Sequence, residues 1–91
     1  MQICILDGNK ITDRETLHKT LAENLNFPDW YGGNLDALYD CLTDFHEDAE
    51  IRLVNVAALR EHLGNYALLL EKVIQRAAND NAHNLYNLED F

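Results

Sequence analysis

Basic residues are the scarcest feature of this chain. Lys and Arg together number 7 against 16 Asp and Glu, for a formal net charge of −9, and none occurs between Lys19 and Arg52. So few cations exclude nucleic acid as a direct partner, because phosphate backbones are gripped through Lys and Arg. A single proline and only 4 glycines, beside 47% hydrophobic residues, exclude a disordered or low-complexity chain. The two cysteines, Cys4 and Cys41, form no metal or redox spacing. In a reducing compartment they read as buried thiols, with a disulfide as the lesser alternative. Long apolar runs are missing too. Met1–Leu6 lacks a basic leader and is too short for a signal peptide, and no stretch approaches membrane-spanning length. The expectation is a cytoplasmic protein without membrane contact, monomeric when free.

What is present fits one small domain over 1–91 with a modest core. Residues 2–6 read as a buried strand through Ile3 and Ile5, closed by the turn Asp7-Gly8-Asn9. Thr12 and Glu15 form a capping box that starts a helix at Asp13. Leu17, Leu21 and Leu25 give that helix its core stripe to about Asn24, and Pro28 marks the break after it. Asn34 is the N-cap of a helix over 35–45. Residues 46–50 read as polar loop and 51–54 as a second strand. Asn55 caps a short helix ending at Gly64, and Asn65 caps a longer one. The buried face of that longer helix is marked by Leu69, Val73 and Ala77, with Leu70 and Ile74 beside them. Leu85–Leu88 is the last strand. Strands alternating with helices predict an α/β fold: a small three-stranded parallel sheet packed with about four helices.

The acidic surplus concentrates in the interval that lacks cations, with Glu23, Asp29, Asp36, Asp40, Asp44, Glu47, Asp48 and Glu50. Within 34–45, Leu35, Leu38, Leu42 and Phe45 (with Cys41 beside them) form an apolar stripe, most simply core packing. Asp36, Asp40 and Asp44 recur every four residues, so they line another face together. Each like-charge pair of this kind costs about 0.2–0.5 kcal/mol, and Asp is a mediocre helix former. The ladder is either a tolerated solvated face or a surface kept negative for a basic partner. Tyr39 lies between Asp36 and Asp40, and Trp30 and Tyr31 stand on the loop leading in. Such aromatics serve as binding anchors or as cover for the edge of a small core.

The stretch Trp30-Tyr-Gly-Gly-Asn-Leu-Asp-Ala-Leu-Tyr-Asp-Cys-Leu-Thr43 resembles the signature of the barstar family, intracellular inhibitors of secreted barnase-type ribonucleases. The likeness is nearly gapless there and extends more loosely along the whole chain. It implies a plug for a ribonuclease active site, in which a helix and its leading loop cover the substrate cleft. By position, Asp40 would replace an RNA phosphate and Asp36 would pair with a second basic group. Trp30, Asn34, Leu35, Tyr39 and Thr43 would surround them, with Asp44 at the edge. Two departures stand out. Asp44 occupies a position where the family has glycine. Arg76, in Val73-Ile-Gln-Arg-Ala77, falls where the family's late helix adds an acidic contact. The resemblance implies no cofactor and leaves the identity of the target enzyme open.

Other constellations carry less. Asp36 and Asp40 could serve as an acid/base pair, yet no metal ligands or long loops accompany them. Asp44, His46, Asp48 and Glu50 alternate like an oxygen-rich cation site. The loop nevertheless lacks the glycine and terminal Glu of an EF-hand, with Ala49 and Asn55 at the relevant places, so it reads as a solvated acidic loop. His18, His62 and His83 show no metal spacing and read as surface or partly buried. The rival to a ribonuclease inhibitor is an acidic interaction module whose basic partner is not a nuclease.

Overall fold

The computed structural model describes residues 1–88; the remainder of the expected 1–91 domain lies outside the described residues. Strands β1 (Gln2–Asp7), β2 (Ala49–Val54) and β3 (Asn84–Leu88) form one parallel sheet in the order β1-β2-β3. Parallel neighbours require crossover connections, and each crossover here carries a helix pair. Helices α1 (Arg14–Leu25) and α2 (Leu35–Thr43) join β1 to β2, and α3 (Val56–Leu63) and α4 (Asn65–Asp80) join β2 to β3. This is the α/β arrangement expected from the sequence.

Crossovers of one hand that step the same way across a sheet lay their helices on one face. Burial along the strands follows that rule. Cys4 and Leu6 of β1 and Ile51 and Leu53 of β2 are buried under the helices. Ile3 and Ile5, expected in the core, instead point away from it and are 43% and 50% exposed. β-branching favoured a strand but did not say which side of the strand would be covered. Strand β2 starts earlier than the expected 51–54, because Ala49 and Glu50 pair with Gln2 and Ile3 on one side and with Asn84 and Leu85 on the other. Glu50 is therefore a buried strand residue and no part of a solvated loop. Arg52 donates to it at 2.9 Å and the Asn87 amide donates to it as well.

Helix ends differ from expectation by about a residue. The α1 cap is Asp13, whose Oδ1 accepts from Thr16 N at 2.7 Å, and Thr12 lies outside the helix. A carboxylate there also meets the positive end of the helix dipole. Helix α1 closes at Asn26, whose φ of 53° is left-handed. In α4 the buried face is Ala67, Leu70, Ile74 and Ala77, whereas Leu69 is exposed and Val73 half-buried. Leu70, Ile74 and Ala77 of the expected stripe are thus buried, and its edge at Leu69 and Val73 turns outward. Gly64, with φ 61°, both closes α3 and precedes α4, so Asn65 is already helical. Asn55 precedes α3, but its side chain makes no cap bond; its amide donates to Asp7 Oδ1 at 2.8 Å. No helix among the described residues is long and apolar enough to cross a membrane.

The turn after β1 passes very close to α3. Gly8 N donates to Val54 O at 2.9 Å. A Cβ on Gly8 would lie 2.1 Å from Asn55 O and 2.5 Å from Leu59 N. Both are backbone atoms that cannot rotate away, so Gly8→Ala is expected to destabilise the fold by about 3 kcal/mol. The urea midpoint measures this, and a midpoint equal to wild type would contradict the close approach.

Candidate functional site

The loop leading into α2 is built by aromatic packing from behind. Phe27 is buried, with its ring centroid 4.8 Å from that of Tyr31 and 5.8 Å from that of Phe45. Tyr31 N donates to Pro28 O at 2.9 Å, closing a turn. Its hydroxyl lies 2.7 Å from His18 Nδ1, and the other ring nitrogen of His18 lies 2.7 Å from the Tyr66 hydroxyl. A neutral imidazole offers one donor and one acceptor, so both hydroxyls are satisfied with no charge. His18 is only 6% exposed, deeper than its sequence context implied. It ties α1, the loop and the start of α4 together. Trp30 faces the other way and is 78% exposed. Tyr31, paired with Trp30 in the sequence, thus belongs to the support and Trp30 to the surface.

Gly33, with φ 67°, turns the chain into α2. Asn34 is the N-cap as expected, its Oδ1 accepting from Ala37 N at 2.8 Å. The helix runs Leu35–Thr43, shorter than the expected 35–45. Leu38, Cys41 and Leu42 are buried and Leu35 is half-buried, while Asp36 and Asp40 are exposed on the opposite side. Asp44 is the C-cap rather than a helical residue. Its N still donates to Asp40 O at 3.1 Å, so its carboxylate stays near the line of the other two. The Thr43 hydroxyl is spent on Tyr39 O at 2.9 Å. Burial pushes the Cys41 thiol up, and the carboxylates of Asp40 and Asp44 add to the shift. Cys4, also buried, is pushed up to about 12, and both thiols are unpaired.

The carbonyl end of α2 is closed by two asparagines from the far end of the chain. Asn81 Nδ2 donates to Leu42 O at 3.0 Å, Phe45 O at 3.1 Å and Thr43 O at 3.3 Å. Asn84 Nδ2 donates to Leu42 O at 2.7 Å from a buried position at the head of β3. No basic residue sits in the last turn of α2. Its terminal carbonyls are therefore satisfied by neutral amides that leave the negative charge of the outer face intact. Helix α4 also flanks that face. The Tyr39 hydroxyl donates to Asp80, and the Arg76 guanidinium carbon lies 5.5 Å from the Tyr39 ring centroid. The bond to Asp80, foremost, raises the Tyr39 phenol above its ordinary range.

The structure thus gathers Trp30, Asn34, Leu35, Asp36, Tyr39, Asp40, Thr43 and Asp44 on one loop and helix, with Arg76 and Asp80 beside them. His18, Tyr66, Asp80, Asn81 and Asn84 were not among the residues expected to matter. Their partners lie up to 48 residues away, and no local pattern signals such a contact. Outside this face, Asp48 pairs with His83 at 3.0 Å, and His62 Nδ1 donates to Gly8 O at 2.9 Å. The hollow beside Trp30, lined by Phe27, Pro28, Cys41, Asp44 and Phe45, measures about 140 Å³. That is below the roughly 300 Å³ at which ordinary ligand pockets begin, and open hollows of about 300 and 410 Å³ lie at the Asp44 edge and on the α4 flank.

Two outcomes follow from this geometry. Asn34→Ala is expected to cost about 1 kcal/mol in thermal or urea unfolding, the usual worth of such a cap. The second concerns pH. Burial, with the neighbouring Arg14 charge adding to it, lowers the His18 pKa from 6.5. Arg14 itself sits over the Tyr66 ring at 4.1 Å. Below about pH 6.5 the unfolded chain binds a proton at this histidine that the folded chain resists, so this contribution to stability is full above that pH and is lost as pH falls through the depressed value. Unfolding followed from pH 7.5 to 5 should show a decline that His18→Gln flattens; identical slopes would contradict it.

Comparison with known proteins agrees with this construction. The family model described as "Barstar (barnase inhibitor)" matches residues 1–88. A protein of Bacillus subtilis (strain 168) bearing the name "Putative ribonuclease inhibitor YrdF" is 43% identical over 82 residues, covering 88% of this chain and 89% of that protein. With the match running from the first strand to the last and taking in the loop and α2 between them, the chain belongs to the barstar family.

Proposed function

We propose that the chain inhibits a basic, barnase-type ribonuclease by laying Trp30–Asp44 across the enzyme's cleft, with the Asp40 carboxylate in the place of an RNA phosphate. The observation that carries this reading is the division of α2: one side buried, both ends satisfied by asparagine side chains, and Asp36 and Asp40 exposed on the side left over. A carboxylate held on such a helix accepts charge-assisted hydrogen bonds from Arg, Lys or His without paying to order itself. A ribonuclease cleft supplies those groups because it must stabilise phosphate charge. The name carried by the Bacillus subtilis relative supports the same partner class.

Around Asp40, the exposed Trp30 supplies flat apolar area, Tyr39 its ring, and Leu35, Asn34, Thr43 and Asp44 the rest of the contact. Asp36 pairs with a second basic group. The protein acts as an inhibitor and not as a catalyst, needs no cofactor, and makes no direct contact with nucleic acid. Its unpaired buried thiols suit a reducing compartment and support a cytoplasmic site of action.

The test is RNA cleavage by a purified barnase-type ribonuclease at low salt. Asp40→Ala is expected to weaken inhibition by at least about 30-fold, equivalent to about 2 kcal/mol for a lost charge-assisted bond. Asp48→Ala, whose exposed carboxylate faces His83, should stay within about threefold of wild type. Equal effects would sink the phosphate-mimic assignment. Binding to other basic proteins with no suppression of cleavage would favour the acidic interaction module.

A further inference from the structure

Arg76 is at odds with the surface it joins. Helix α2 presents Asp36 and Asp40 with no Lys or Arg of its own, and Asp44 caps it. Helix α4 packs alongside α2, and Tyr39 spans the seam, its hydroxyl bonded to Asp80 and its ring under the Arg76 guanidinium. A planar guanidinium resting on an aromatic face keeps its position better than a free side chain. Arg76 remains exposed there, so a fixed positive charge adjoins a fixed negative face. Lys72, one turn earlier on α4 and also exposed, borders the same open hollow as Arg76, with Gln75, Asn79, Tyr86 and Glu71, whose carboxylate is paired with Arg60. Lys72 and Arg76 thus place two cations on the α4 flank beside the anionic helix, with Asp80 one turn beyond them.

We propose that Arg76 determines partner choice: the enzyme that fits this chain carries basic groups opposite α2 and a carboxylate opposite α4. This rests on the ribonuclease reading and narrows it. A rim that is basic throughout would meet Asp36 and Asp40 well and be repelled at Arg76, since like charges juxtaposed across an interface oppose binding strongly. Asp80, one turn beyond Arg76, keeps its charge while it accepts from the Tyr39 hydroxyl, and Lys72 on the other side of Arg76 leaves the flank net positive. Of the five N–H donors of a guanidinium, those not turned to Tyr39 are suited to a two-pronged grip on a partner's carboxylate. A merely structural Arg76, pinning α4 to α2, would affect every enzyme equally.

A charge-swap experiment separates these cases. The inhibitors are wild type, Arg76→Glu, Arg76→Gln and Lys10→Glu. The last makes the same change in net charge as Arg76→Glu from the turn after β1. The probes are a purified barnase-type ribonuclease and single variants in which each Lys or Arg on the rim of its cleft is replaced by Glu. Inhibition constants are measured at low and high salt, and thermal melts establish that each inhibitor folds. Arg76→Glu is expected to inhibit the parent enzyme at least tenfold more tightly than wild type does. At least one rim variant should reverse that preference tenfold in favour of wild type, with both differences shrinking at high salt. Arg76→Gln should fall between, and it decides the matter by itself if Arg76→Glu does not fold. Should Arg76→Glu and Lys10→Glu shift every constant alike, the role of Arg76 is overturned while the ribonuclease reading stands. Should neither wild type nor any variant suppress cleavage, the ribonuclease reading fails and takes this proposal with it.

Discussion

Helix α2 cannot hold itself together, and the rest of the molecule is arranged around that fact. Nine residues are too few for a stable isolated helix. Asp36 and Asp40 repel one another, and Asp44 at the cap adds to the repulsion. What fixes the helix comes from outside it. Leu38, Cys41 and Leu42 are buried, at about 1.5–3 kcal/mol for each large apolar side chain, which outweighs a repulsion of tenths of a kcal/mol. Asn34 closes the amide end, and Asn81 and Asn84 close the carbonyl end. A lysine or arginine could have served the carbonyl end equally well. It would also have neutralised the charge that the outer face displays.

The loop in front of α2 depends on a second support with different chemistry. His18 lies between two tyrosine hydroxyls and links α1, the loop and α4 through short hydrogen bonds. Tyr31 and Phe27 then anchor the inner side of the loop, which frees Trp30 to stand outside. Apolar packing and a neutral polar relay thus share the task of placing one aspartate-bearing surface. Neither support uses a charge that would compete with it.

Much of this was legible in the sequence, and what was not has a physical reason. The cap at Asn34, the leucine stripe of α2 and its separation from the aspartate line are local patterns, set by helix periodicity. The α/β class followed from alternating element types. Phase was harder to see than period. Leu69 and Ala67 differ in burial because of how α4 rolls onto its neighbours, and Ile3 and Ile5 face outward because both crossovers put their helices on the other side of the sheet. Asp13 displaced Thr12 as the α1 cap because two candidate acceptors stood next to each other and the carboxylate suits a helix amide end well. His18, Asn81 and Asn84 were illegible for a further reason: each completes a bond to a residue remote in sequence. Asn84 stood just before the expected strand, and with Asn81 it closes α2.

Trp30 is the only tryptophan in the chain and stands mostly in solvent. Its indole emission therefore reports on the doorstep of α2 and says little about the core. Unfolding moves this ring from one aqueous setting to another, so intrinsic fluorescence is a poor gauge of folding in this protein. A surface that settles over the loop would change the ring's surroundings far more. Nature has left a spectroscopic label in the position an experimenter would have chosen for one.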